Sequence, residues 1–121
     1  MIHSNTILNV VDNTGAKKIM CIKILGNNKN IGKIGDIFIG VIKRALPNMP
    51  IKKSNIVKAL IIRTLKPIYR SNSCVIKFGE NSAILLNKDN TPRGTRIFGP
   101  IPREIKEKNF NKVVGISPQI I

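Results

Sequence analysis

Tryptophan is absent from the 121 residues, tyrosine occurs once and phenylalanine four times. Proteins that hold single strands by stacking bases need a row of exposed rings. Three of the five rings here sit in or beside apolar blocks and read as core, so a stacking platform is not indicated. Histidine occurs once, as His3, and Cys21 and Cys74 lie in separate apolar runs without C-x-x-C spacing. That leaves neither a zinc ligand set nor a redox pair, and both thiols read as free and buried. The acids are Asp12, Asp36, Glu80, Asp89, Glu104 and Glu107, none in a motif with His3 or a thiol. Each reads as a turn, cap or ion-pair residue, so no enzyme, metal or cofactor is expected. The Gly-rich segment GNNKNIGKIGD at 26–36 lacks phosphate-loop and dinucleotide spacing and reads as a basic loop. No run of about 18 apolar residues is present. The opening MIHSNTILNVVD lacks a signal or transit pattern, so the expectation is a soluble chain, made where it works or already processed.

What is abundant is positive charge: 21 Lys and Arg against six acids, a formal +15. A compact chain carrying that excess repels itself unless an anionic partner surrounds it. A membrane surface would want the cations along one face of an amphipathic helix. Here they are scattered through strands, turns and loops, which points to nucleic acid and away from membrane. Ile, Asn and Lys number 23, 14 and 15, and Lys outnumbers Arg 15 to 6, the bias expected of AT-rich genomes, organellar ones among them.

Short apolar blocks with β spacing occur at 6–12, 17–25, 36–46, 56–64, 74–79 and 82–87. Several are apolar on both faces, and Gly40 falls inside one, where a strand of a small closed barrel bends or packs closely. The fold expected is therefore mainly β, a compact barrel over about 1–90, within one domain spanning 1–121. DNTG at 12–15 signals a tight hairpin, and GEN at 79–81 separates two short strands that could pair antiparallel. LPNMPIKKSN at 46–55 reads as a projecting arm, since Pro47 and Pro50 remove ladder donors and Lys52 and Lys53 add charge. After residue 90 the β pattern stops. PREIKEKNFNKVVGI predicts one or two short helices beginning near Pro102, with Ile105, Phe110, Val113 and Val114 apolar.

Basic residues on turns and arms suit the phosphates of folded RNA. The candidates are Lys17, Lys18, Lys43, Arg44, Lys52, Lys53, Lys66 and Arg70, joined by Arg93 and Arg103 of TPRGTRIFGPIPRE at 91–104. In that stretch Gly94 and Gly99 permit close backbone approach, and Pro92, Pro100 and Pro102 stiffen it into a preordered contact loop. Ile97 and Phe98 serve either a mixed protein and RNA contact or a plug at the barrel end.

LNVVDNTGAKKIMCIKILG, IVKALIIRT and GTRIFGPIPREI together resemble large-subunit ribosomal protein fourteen of the bacterial and organellar type, along the whole chain. PNMP at 47–50 resembles the plastid branch. The resemblance implies a five-stranded β-barrel with a projecting β-ribbon and short C-terminal helices, bound to large-subunit rRNA beside ribosomal proteins three and nineteen. It also implies a bridge to small-subunit rRNA, a surface that a ribosome-silencing factor can cover, and Thr95, Arg96 and Lys112 on that surface. The setting it suggests is a ribosome in a plastid or plastid-derived organelle, otherwise a bacterial cytoplasm or mitochondrion. Three departures from the family pattern stand out: Ser73 after Asn72 where Gly is usual, Gly115 for Ser, and Ile84 for Val.

Overall fold

The structure is a computed structural model that describes residues 2–26 and 30–121; residues 27–29, within the 26–36 loop, lie outside the described residues. The strands are β1 (Ile7–Val10), β2 (Ala16–Ile24), β3 (Ile37–Ala45), β4 (Ile56–Arg63), β5 (Ile68–Tyr69), β6 (Val75–Ile76) and β7 (Ser82–Leu86). Two helices follow, α1 (Glu104–Glu107) and α2 (Asn111–Ile116). Five strands close into a barrel in the order β1-β2-β3-β4-β7. Every neighbouring pair is antiparallel except β1 and β7, which close it in parallel. The five-stranded barrel with short C-terminal helices is thus the fold observed.

Alternation explains the walls. On β3, Phe38, Gly40 and Ile42 point inward, while Ile37, Ile39 and Val41 point out and are only partly buried. Gly40 is required by close approach, since a Cβ there would lie 2.7 Å from the Met20 carbonyl oxygen. β4 and β7 break the inside/outside rule because they are covered on both sides. Val57, Ala59, Ile61, Ala83 and Leu85 join the barrel interior. Leu60, Ile62, Ile84 and Leu86 form a second core with Ile97, Ile101, Ile105 and Val113 from the C-terminal segment. Ile84 therefore lies in the outer core and not inside the barrel. Burial on two faces is why these strands carry the apolar runs ALII at 59–62 and AILL at 83–86.

Sequential pairing holds from β1 to β4 but fails at 79–81. β6 pairs with β5, as a separate two-stranded ribbon, while β7 lies between β4 and β1. All five β7 residues are buried, whereas Val75 of β6 is exposed, so only β7 suits a place in the wall. Cys74, at the exposed root of β6, is correspondingly exposed and not buried as expected; Cys21, inside the barrel, is buried, and burial pushes its thiol pKa up.

The 46–55 segment also departs from expectation. Ile51 is buried in the barrel core, Met49 packs on Gly15, and the Leu46 and Ser54 amides donate to the carbonyls of Gly15 and Ile42 at 2.8 Å each. Burying Ile51 draws the segment back over the barrel end, so it caps where a free arm was expected; the ribbon is β5–β6. The turn of that ribbon tolerates Ser73 in the left-handed region at φ +66°, with the Cys74 amide donating to Asn72 Oδ1 at 3.2 Å. At the C-terminal end, Asn109 at φ +68° separates α1 from α2.

Truncating Ile84 to Ala should lower stability by about 2–5 kcal/mol, because a fully buried side chain leaves a cavity between two packed layers. Gly115 is the opposite case: nothing lies within 4 Å of a Cβ added there. Gly115→Ala should raise stability by about 0.5–1 kcal/mol. Chemical denaturation of both variants checks the pair; a stability rise for Ile84→Ala would contradict the two-core packing.

Candidate nucleic-acid interface

Two successive register shifts on β2, between Ala16 and Lys18 and between Lys18 and Ile19, break the alternation. Lys17 and Lys18 are consequently both exposed, and Lys18 stands opposite Arg44, next to Lys43 at the end of β3. The capping segment adds exposed Lys52 and Lys53 beside buried Ile51. Arg93 lines a cleft at this end with Asn13, Met49, Pro50, Ile51 and Thr95, and no acid lines it. Asp12, the nearest carboxylate in sequence, is buried and fully engaged: Oδ2 accepts from the Leu85 amide at 2.9 Å, Oδ1 from the Thr14 amide and hydroxyl at 3.2 and 2.5 Å. Seven of the cations singled out in the sequence thus gather around one end of the barrel.

The 93–98 loop is built onto the same end. Asn13 Oδ1 accepts from the Thr95 and Arg96 amides at 2.9 and 3.3 Å, and its Nδ2 donates to Thr95 Oγ1 at 2.8 Å. The Phe98 amide donates to the Val11 carbonyl at 2.8 Å, and Asp12 bridges Ile97 antiparallel. The loop therefore rides as a short added strand beside the chain leaving β1, and its side chains alternate. Ile97 is 1% exposed in the outer core, whereas Phe98 is 48% exposed. Of the two roles open for the pair, Ile97 takes the plug and is not a surface contact. The Arg96 guanidinium lies 5.4 Å over the Phe98 ring, a cation–π distance. Thr95, Arg96 and Phe98 are left facing outward.

Close backbone approach occurs at both glycines. A Cβ at Gly94 would lie 2.6 Å from Asn13 Oδ1, and at Gly99, with φ +86°, it would overlap Arg63 Nη1. Arg63 is buried, and its Nη2 donates to the Phe98 carbonyl at 3.2 Å and reaches Glu80 Oε1 at 3.5 Å. Burial lowers the pKa of its guanidinium, and the Glu80 charge works against that. Neither Asn13 nor Arg63 stands out in the sequence: the first reads as a turn residue, the second as a cation at a strand end.

The other singled-out residues lie apart. Lys66 lines a groove with Pro67, Ile68, Glu104 and Glu107; Arg103 is exposed just before α1; Lys112 is exposed on α2 beside the Asp89 turn. Arg70, expected to contact a phosphate, is half-buried and taken up in an ion pair within the molecule. Its Nε and Nη2 donate to the Glu104 carboxylate at 2.9 and 3.0 Å, and Nη2 to the Ile121 carbonyl at 2.7 Å. A bidentate guanidinium–carboxylate pair fixes the ribbon to α1 and leaves the side chain little to offer RNA.

A model of the family Ribosomal protein L14p/L23e matches this chain over residues 1–121.

Two predictions follow from this geometry. Ile97→Ala should cost about 2–5 kcal/mol, whereas Phe98→Ala, half outside, should cost about 1 kcal/mol or less; thermal melts of the two would reverse in order if Phe98 were the plug. The hydrogen bond from Arg70 holds the Glu104 carboxyl below the usual carboxylate range, with burial opposing. A depressed folded pKa contributes stability above the unfolded value, near 4.3 for Glu, and that stability is lost as pH falls through the folded value. Glu104→Gln should therefore flatten the loss of stability below about pH 4.3, and identical pH profiles for the two proteins would remove the pair as a source of it.

Proposed function

Because the chain belongs to the ribosomal protein L14p/L23e family, whose members are structural proteins of the large ribosomal subunit, we propose that its basic barrel end grips large-subunit rRNA and its 93–98 loop faces a partner across the subunit interface. The family membership points to a structural, non-enzymatic role. The observation that carries the rRNA reading is the convergence of Lys17, Lys18, Lys43, Arg44, Lys52, Lys53 and Arg93 on one end of a +15 chain. Phosphate contact needs cations on a rigid surface, and here strand ends and a capped loop supply it. Lys66 and Arg103 stand apart from that end, near the ribbon and α1, and are separate candidates for phosphate contact.

The outward triplet Thr95, Arg96 and Phe98, with Lys112 on α2, is the surface offered to small-subunit rRNA in a bridge, and to a ribosome-silencing factor where one exists. Ribosomal proteins three and nineteen are the protein neighbours in this reading. A plastid-derived ribosome is the setting favoured by PNMP at 47–50 and the Ile-, Asn- and Lys-rich composition. A free RNA chaperone would use the same charge, but would sediment away from ribosomal particles in a sucrose gradient.

Binding of the purified protein to large-subunit rRNA should weaken steeply with salt, with a log-log slope of about −3.5 to −4.5 for ~5 phosphate contacts. A flat response would sink the phosphate model. Lys52→Glu with Lys53→Glu should reduce that slope by about 2 and lower incorporation into large subunits, without lowering the melting temperature by more than a few degrees. Arg96→Glu should fold and incorporate normally yet impair joining to small subunits; normal joining would remove Arg96 from the interface.

A further inference from the structure

Arg63 ends β4 in an unusual way. The pairing of β4 with β7 shifts register between Ile61 and Arg63, and the buried run of β4 continues past the shift through Arg63 and Thr64. A bulge of this kind re-aims the side chain that follows it. Here it turns a guanidinium away from solvent, with the side chain 9% exposed, towards the chain at 98–99. Nη2 donates to the Phe98 carbonyl at 3.2 Å, and Nη1 occupies the space beside Gly99 that any Cβ would fill. Behind it, Glu80 meets that same Nη2, with its Oε1 at 3.5 Å. Its Oε1 also accepts from Ser82 Oγ at 3.0 Å, and its Oε2 from Asn9 Nδ2 at 2.7 Å, so β1, β4 and β7 all hold one carboxylate.

The arrangement is a poor way to stabilise a fold. Arg63 Nε is buried and has no hydrogen-bond partner among the described residues. Replacing a whole buried ion pair by apolar side chains is often neutral or stabilising, whereas removing one partner is costly when it strands the other charge in the interior. Glu80 is not stranded in that way: its side chain is 45% exposed and keeps hydrogen bonds from Ser82 and Asn9. What Arg63 supplies to the loop is a donor at the Phe98 carbonyl. We infer that Arg63 is a positioning residue of the 93–99 loop: it holds the Phe98 carbonyl and the turn at Gly99, and so fixes the outward Arg96–Phe98 pair in the one shape that a partner meets. The inference rests on the reading of that loop as a partner-facing surface, and its first test does not depend on it.

That test is amide hydrogen exchange in the free full-length protein. The Phe98 amide, bonded to the Val11 carbonyl at 2.8 Å, reports the loop; the Leu60 amide, within β4 of the barrel wall, reports the fold. Arg63→Met should leave Leu60 protection and the melting temperature close to wild type while Phe98 exchanges at least tenfold faster. Arg63→Lys keeps the charge towards Glu80 but not the fork, and should restore less than half of the lost protection on a logarithmic scale. Phe98 protection within twofold of wild type in Arg63→Met, or a parallel loss at Leu60, would overturn the positioning role.

Large subunits carrying Arg63→Met, assayed for joining beside Arg96→Glu, separate the two levels. Impaired joining by both variants supports the inference together with the reading of the loop. Faster Phe98 exchange with normal joining by both keeps Arg63 as the residue that orders the loop and sinks the interface reading instead. Impaired joining by Arg96→Glu alone overturns the claim that Arg63 shapes the surface a partner meets.

Discussion

Along residues 59–62 and 82–86 the wall made by β4 and β7 is buried on both faces. Its inner side chains belong to the barrel and its outer ones, Leu60, Ile62, Ile84 and Leu86, need a cover. The C-terminal third of the chain supplies it through Ile97, Ile101, Ile105 and Val113, and that single demand fixes where the 93–98 loop, α1 and α2 go. With Ile97 inserted, the alternation of an extended chain leaves Arg96 and Phe98 outside on either side of it. The presented surface is thus a by-product of the second core, and Asn13 and Arg63 refine it from the barrel side.

Charge is organised by irregularity rather than by regular structure. A perfect β2 would bury every second residue and could expose only alternate cations; the register shifts at 16–19 expose Lys17 and Lys18 together, opposite Arg44. The capping segment works similarly: one buried isoleucine, Ile51, anchors it and leaves Lys52 and Lys53 at the rim. Four of the six acids are drawn inward or paired, Asp12 to amides, Glu80 to Arg63, Glu104 to Arg70 and Asp36 to Lys108, which keeps those four from neutralising that rim.

Much of this was legible in the sequence because it is local. Each of the six apolar blocks contains a strand, Gly40 marks a close approach, and the helices start after Pro102 with Ile105 and Val113 inward. What was not legible depends on partners distant in the chain. The two-residue strand β5 carries no periodic signal, and nothing local says that β6 pairs back to it while β7 closes the barrel in parallel. The folding back of 46–55 goes with the burial of Ile51 among barrel-core side chains that are distant in the chain. Arg70 and Arg63 look like surface cations in one dimension, and only the approach of Glu104 and of the Phe98 carbonyl assigns the first to an ion pair and the second to the interior.

The central claim is that the crowded barrel end meets rRNA within the large subunit while the α2 face stays open until the subunits join. Lysine acetylation read by mass spectrometry tests it directly, on the free protein, on isolated large subunits and on joined ribosomes. The account predicts that Lys17, Lys18, Lys43, Lys52 and Lys53 lose reactivity on entering the large subunit, whereas Lys112 loses it only on joining. Barrel-end lysines as reactive in the large subunit as in the free protein would contradict it.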